Sequence, residues 1–222
     1  MASTAISRRA SASAGGEDKL VRFDRVERFA HWANALLFAI LIATALPLYF
    51  PSIEALVGRR ALVEEIHLYA GLSLPVPLCI SLAGRWGARF RRDVRRFCLW
   101  SRAEVAWLRT FGRTELEAPD KFNPGQKLNA LVVAGTILVM FATGCMLKWF
   151  SPFSLSWRTG ATFVHDVGAF AIVAVIVGHV AMALAHPEAL RSMFTGRVST
   201  SWARRHAAGW LEEERPSNDE QA

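Results

Sequence analysis

Four histidines carry the chemistry that can be read from this chain. His31, His67, His165 and His179 each fall inside a strongly apolar stretch, where an ionisable side chain is costly and is functional by default. Any one of them alone reads equally well as a structural histidine satisfied by a hydroxyl or a carbonyl; their depths as a set change that reading. His31 stands near the start of the first apolar stretch, and His179 about six residues before the end of the fourth. His67 and His165 stand near the starts of the second and fourth. On helices that alternate in direction this gives two pairs at two depths, His31 with His179 and His67 with His165. The fourth helix supplies one member of each. The fourteen residues from His165 to His179 amount to about 21 Å of rise and nearly four turns at roughly 100° per residue. Both side chains therefore project from one face. Two facing imidazoles at each of two levels suit two haem irons with both axial positions filled, an arrangement that favours electron transfer over oxygen binding or activation. Gly71, Gly168 and Gly178 lie beside these histidines and leave room for a porphyrin, although glycine also serves close helix packing.

Other chemistries find less support. No C-x-x-C-H occurs, which excludes a covalently attached c-type haem. Cys79, Cys98 and Cys145 form no metal-ligand cluster and read as ordinary small apolar residues. No Ser or Cys sits in an activating motif for nucleophilic catalysis.

The elements that must hold the histidines emerge from composition. The chain has 222 residues, 52% hydrophobic and only 20% charged. The apolar residues cluster in four runs, Phe29–Phe50, Leu62–Gly84, Leu128–Phe150 and Ala161–Ala185. About 20 apolar residues of helix span a bilayer core. Four such lengths argue for a membrane bundle over a soluble all-α protein with four buried helices. Pro75 and Pro77 interrupt the second run, which a packed membrane helix tolerates. Of the 26 Lys and Arg, six precede the first run, eleven lie between the second and third, and five come after the fourth. By the positive-inside rule both termini and the middle loop are cytoplasmic. The basic charge then labels topology and attracts anionic lipid, and nothing else supports a nucleic-acid reading. Within the middle loop, Ser101–Glu104 fits a capping box, with Trp100, Val105, Leu108 and Phe111 as an apolar stripe. The spacing predicts a short amphipathic helix on the cytoplasmic face of the bilayer, or a docking helix for a partner. Residues 1–20 read as a disordered cytoplasmic tail, 21–206 as the membrane domain and 207–222 as a second tail. Arg8-Arg9 lacks the apolar stretch a twin-arginine signal needs, and the first apolar run continues past Ala43-Thr44-Ala45, so the first helix reads as uncleaved.

From residue 20 onward the chain resembles the cytochrome b (gamma) subunit of membrane-bound formate dehydrogenases, within the di-haem cytochrome b561-like superfamily. The blocks that carry the likeness are R-F-D-R-V-E-R-F-A-H-W (Arg22–Trp32), K-F-N-P-G-Q-K (Lys121–Lys127), H-D-V-G (His165–Gly168), G-H-V-A-M-A-L-A-H-P (Gly178–Pro187) and G-R-V-S-T-S-W-A-R-R-H (Gly196–His206). The resemblance implies an all-α fold of four transmembrane helices in the bacterial inner membrane, binding two haem b groups. His31 and His179 would hold the inner, cytoplasmic-side haem, and His67 and His165 the outer one. It implies an iron–sulfur subunit and a molybdenum or tungsten catalytic subunit as partners, with electrons passing to a quinone, menaquinone or ubiquinone, near the inner face. The quinone pocket would map to Asn123, Gly125, Gln126 and His179, where amide side chains and a close backbone can donate to a quinone carbonyl; without the resemblance, N-P-G reads as a turn before a helix. The chain departs from the family pattern at Pro124, where a small residue is more usual, and at Ala207, where a second histidine often comes directly after His206. Two other functions stay open: a related b-type subunit serving a hydrogenase, another molybdoenzyme or a cytochrome, and a haem-free membrane anchor.

Overall fold

The computed structural model describes residues 18–214. The tail expectations for 1–17 and 215–222, including Arg8-Arg9, lie outside the described residues. A short strand, β1 (Lys19–Val21), leads into helix α1 (Arg25–Tyr49). Asp24 caps α1 reciprocally with Glu27: Glu27 N donates to Asp24 Oδ1 (2.8 Å) and Asp24 N to Glu27 Oε2 (2.5 Å), satisfying donors the helix cannot satisfy itself. A short helix α2 (Pro51–Val57) turns the chain into the second span, which is split into α3 (Arg60–Ser73) and α4 (Val76–Leu82). The break falls at Leu74 and Pro75, where proline has no backbone N–H to continue the ladder, and Pro77 sits in the first turn of α4. Two further helices, α5 (Ala88–Cys98) and α6 (Arg102–Arg109), precede the third span, α7 (Pro124–Lys148). The fourth span, α8 (Leu155–Ala185), passes into α9 (Pro187–Thr195), strand β2 (Arg197–Ser199), α10 (Thr200–His206) and α11 (Ala208–Glu213).

Among the described residues, four helical segments, of 25, 23, 25 and 31 residues, are long and apolar enough to cross a bilayer. Their outward faces expose large apolar side chains such as Leu36, Leu138, Val177 and Leu184, a surface that suits lipid. The protein is a multi-pass helical membrane bundle. α1 packs on α3 and α4, and α7 on α8. The two helix pairs meet in a central apolar layer of Phe38, Leu74, Ile137 and Ile172, joined by Leu41, Leu78 and Val175.

One end of the bundle carries a compact cap. β1 and β2 pair antiparallel, with Leu20 opposite Val198, so the segment ahead of the first span is stitched to the segment beyond the fourth. Gly196 closes α9 with φ 77°; its carbonyl accepts from Arg22 N (2.9 Å) and Phe23 N (3.1 Å), and a Cβ there would stand 2.5 Å from Phe23 O. Only glycine fits that turn. Behind it Val198, Ala203, Ala207, Trp210 and Leu211 form a second core. The boundary expected at residue 206 falls inside this unit: α11 belongs to the packed cap, with Trp210 only 1% exposed. The short strands are likewise absent from the all-α expectation.

The middle loop also holds more than the single expected helix. α6 has the expected capping box, with Glu104 N donating to Ser101 Oγ (3.1 Å) and Ser101 N to Glu104 Oε2 (2.8 Å). Its stripe is shorter than expected. The helix ends at Arg109, and Phe111, at φ 53°, projects beyond it with 91% exposure.

Candidate functional site

Three of the four spans bring the histidines together at two levels. His31 on α1 faces His179 on α8, with ring centroids 6.1 Å apart and planes at 63°. His67 on α3 faces His165 on α8 at 6.4 Å and 64°. A metal–imidazole bond of about 2 Å on each side of one ion, plus half a ring width each, puts two axial rings about 6 Å apart centre to centre. Each pair therefore stands at the spacing that two ligands of one iron need. Two protein ligands per centre is also the number that fits an iron porphyrin, whose macrocycle fills the other positions.

The central apolar layer lies midway between the levels. Ile172 is seven residues from both His165 and His179; Phe38 is seven beyond His31, and Leu74 seven beyond His67. Seven residues of helix rise about 10.5 Å, two turns, so the layer separates the sites symmetrically.

Contacts around the two levels differ. At the far level, Thr44 Oγ1 lies 2.8 Å from His67 Nδ1 and Thr143 Oγ1 lies 2.8 Å from His165 Nδ1. Tyr49 of α1 stacks edge-on to Phe170 of α8 nearby, at 5.2 Å. Near the capped end, Trp32 Nε1 donates to Met193 O (3.0 Å) and Arg28 Nη1 to Phe194 O, which ties α1 to α9. The two threonines were not picked out from the sequence, because each touches a histidine on another helix, 23 and 22 residues away. Of the glycines, Gly168 serves helix packing, since a Cβ there would meet Met140 Sδ at 2.7 Å; Gly178 has open space beside it.

Asn123 and Gln126 begin α7 as a reciprocal cap: Gln126 N donates to Asn123 Oδ1 (2.9 Å) and Asn123 N to Gln126 Oε1 (3.1 Å). Both residues are exposed, and each amide keeps an NH2 group to donate. Gly125 lies under Trp107 of α6; a Cβ on it would stand 3.7 Å from the indole. Pro124 occupies the first helical position, where its missing N–H costs nothing.

Just behind this helix start is a buried ionic cluster. Lys121 Nζ lies 2.8 Å from Glu27 Oε1 and 2.5 Å from Asp93 Oδ2. Lys127 Nζ lies 2.6 Å from Glu104 Oε1, and Arg96 bridges Asp120 and Glu213. Burial and the hydrogen bond with the Glu27 carboxyl push Asp93 up to about 8, against the pull of Lys121. Burial also draws Arg22 down to about 10, although Asp93 and Glu27 pull it the other way.

A four-span bundle with facing imidazoles at two levels is the build of a membrane b-type cytochrome. Residues 22–196 match the family described as prokaryotic cytochrome b561, and the chain belongs to that family. It is a membrane electron-transfer cytochrome whose prosthetic group is b-type haem. Among curated proteins it is similar to the formate dehydrogenase cytochrome b556(fdo) subunit of Escherichia coli K12, 24% identical over 215 residues that cover 92% of this chain and 98% of the relative. The formate dehydrogenase cytochrome b556 subunit of Haemophilus influenzae is 23% identical over 89% of this chain and 84% of its own length. The nitrate-inducible cytochrome b556(Fdn) subunit of Escherichia coli K12 is 22% identical over 87% and 91%.

Proposed function

We propose that this chain is the membrane subunit of a respiratory complex of the formate dehydrogenase type. In this reading it anchors its partners, takes electrons from an iron–sulfur subunit at the outer face, and delivers them to a quinone near the cytoplasmic face. Both termini and the middle loop are cytoplasmic, in the bacterial inner membrane, and a molybdenum or tungsten subunit oxidises the substrate away from this chain. The observation that carries the reading is the double pairing of imidazoles at 6.1 and 6.4 Å. The relatives' names point to formate as the donor's substrate.

Four residues do the holding. His67 and His165 would hold the outer haem, and His31 and His179 the inner one, each through one ring nitrogen. Haem b, when bound, supplies a one-electron iron carrier with no open coordination position. α8 sets the step between the levels, because both of its histidines project from one face. The surrounding Leu, Ile, Val and Phe side chains exclude water from that step.

At the cytoplasmic end, Asn123 and Gln126 offer amide NH2 donors to a quinone carbonyl, held in place by their shared cap. Trp107 over Gly125 gives the pocket an apolar wall. Protons for the reduced quinone come from the cytoplasmic side, where the cap and its ionic cluster stand.

A low-spin b-type spectrum with two haems per chain is the first expected result, measured by pyridine haemochrome on the purified complex. His165→Ala should remove one haem and leave the other; a variant that kept both would overturn the ligand reading. Asn123→Ala should slow reoxidation of the reduced protein by quinone at unchanged haem content, and unchanged reoxidation would remove Asn123 from the quinone site.

A further inference from the structure

We infer that Thr44 and Thr143 are positioning residues for one haem level only: they fix the ring orientation and the proton of His67 and His165 before haem arrives. The inference rests on the reading of those histidines as axial ligands.

The geometry is the same on both sides of the site. Thr44 Oγ1 lies 2.8 Å from Ile40 O and 3.1 Å from Leu41 O, and Thr143 Oγ1 lies 2.8 Å from Val139 O and 3.3 Å from Met140 O. A helical threonine gives its single hydroxyl proton to the carbonyl a turn back. Only lone pairs then remain to face the imidazoles, and each Nδ1, at 2.8 Å, must be the donor. A neutral imidazole with its proton on Nδ1 presents a lone pair at Nε2, the form an iron requires. Thr44 on α1 thus sets His67 on α3, and Thr143 on α7 sets His165 on α8. Gly144, beside Thr143, faces the same ring: a Cβ there would stand in ordinary contact with His165 Cε1, at 3.5 Å.

The other level lacks this support. Among the described residues no hydrogen bond reaches a ring nitrogen of His31 or His179. A ligand histidine that donates its second N–H becomes a better electron donor to the metal, which favours the oxidised iron and lowers its reduction potential. The asymmetry therefore puts the lower potential at the His67–His165 level, the one where electrons enter in the proposed direction.

The test uses the full chain, purified with its complex, in four forms: wild type, Thr44→Val with Thr143→Val, Thr44→Ser with Thr143→Ser, and His67→Ala to mark which signal belongs to that level. Haem content, the rate of haem transfer to apomyoglobin, and a potentiometric titration are the readouts. In the valine pair, one haem of the two should leave about tenfold faster or more. Its midpoint potential should rise while the other haem keeps wild-type behaviour, which also shows that the fold survives. The serine pair, which keeps both hydroxyls, should match wild type. The inference is overturned if the valine pair holds both haems at wild-type rates and potentials, if both haems change together, or if serine fails to restore. Fewer than two haems in wild type would sink the ligand reading itself, and this inference with it; two haems and an unmoved valine pair would sink only the threonine role.

Discussion

Lys121 is 3% exposed and holds two carboxylates from distant parts of the chain, Glu27 and Asp93, 94 and 28 residues away. Removing the ammonium while Glu27 stays buried leaves a carboxylate without its partner. Lys121→Met is expected to cost about 3–5 kcal/mol, read as a fall in thermal or denaturant midpoint in detergent. The pair also makes stability depend on pH. Asp93 is raised from its ordinary value of 3.8 to about 8, so between those values the folded chain keeps a proton that the unfolded chain has released. Its contribution is full below that window and is lost as pH rises through about 8. The melting temperature should therefore fall between pH 5.5 and 8.5, and Asp93→Asn should flatten that slope. Sequence alone showed the four histidines plainly, because an ionisable residue in an apolar run stands out. Lys121, Glu27 and Asp93 did not stand out, since each sits among other charges near a span end and only the fold reveals which ones face inward.

At the scale of elements, α8 is the critical part, because it carries one member of each histidine pair. Its register is a rigid quantity: one inserted residue turns everything beyond it by about 100°. An extra alanine between Ile172 and Val173 should leave one level intact and misalign the other, so with the ligands proposed above haem content should drop from two to one per chain. Retention of both would mean that the pairs tolerate rotation. The long helices were legible because apolar runs of bilayer length have few other uses, and the break at Pro75 because proline cannot continue the ladder. α5 was not, since its Arg-rich sequence reads first as a topology label. In the structure Arg96 is an internal tie to Asp120 and Glu213. The three-residue strands β1 and β2 are too short to show any alternation, and they form where segments 178 residues apart, Leu20 and Val198, meet.

For the whole molecule, the cap joins the segment ahead of the first span to the segment beyond the fourth. Trp210 is its keystone, packed with Val198, Ala203, Ala207 and Leu211. Trp210→Ala should cost about 3–5 kcal/mol and make the cap sensitive to protease, at an unchanged haem content, because both histidine pairs lie outside this core. Cleavage resistance equal to wild type would argue against the packed cap. The layer of Phe38, Leu74, Ile137 and Ile172 has a different consequence. Its own side chains carry no hydroxyl, amide or carboxyl, although the half-buried Ser73 and Thr136 stand beside Leu74 and Ile137, and an electron needs no such groups to cross it. With the direction of electron flow proposed above, each turnover would move negative charge across the bilayer and so store energy as voltage.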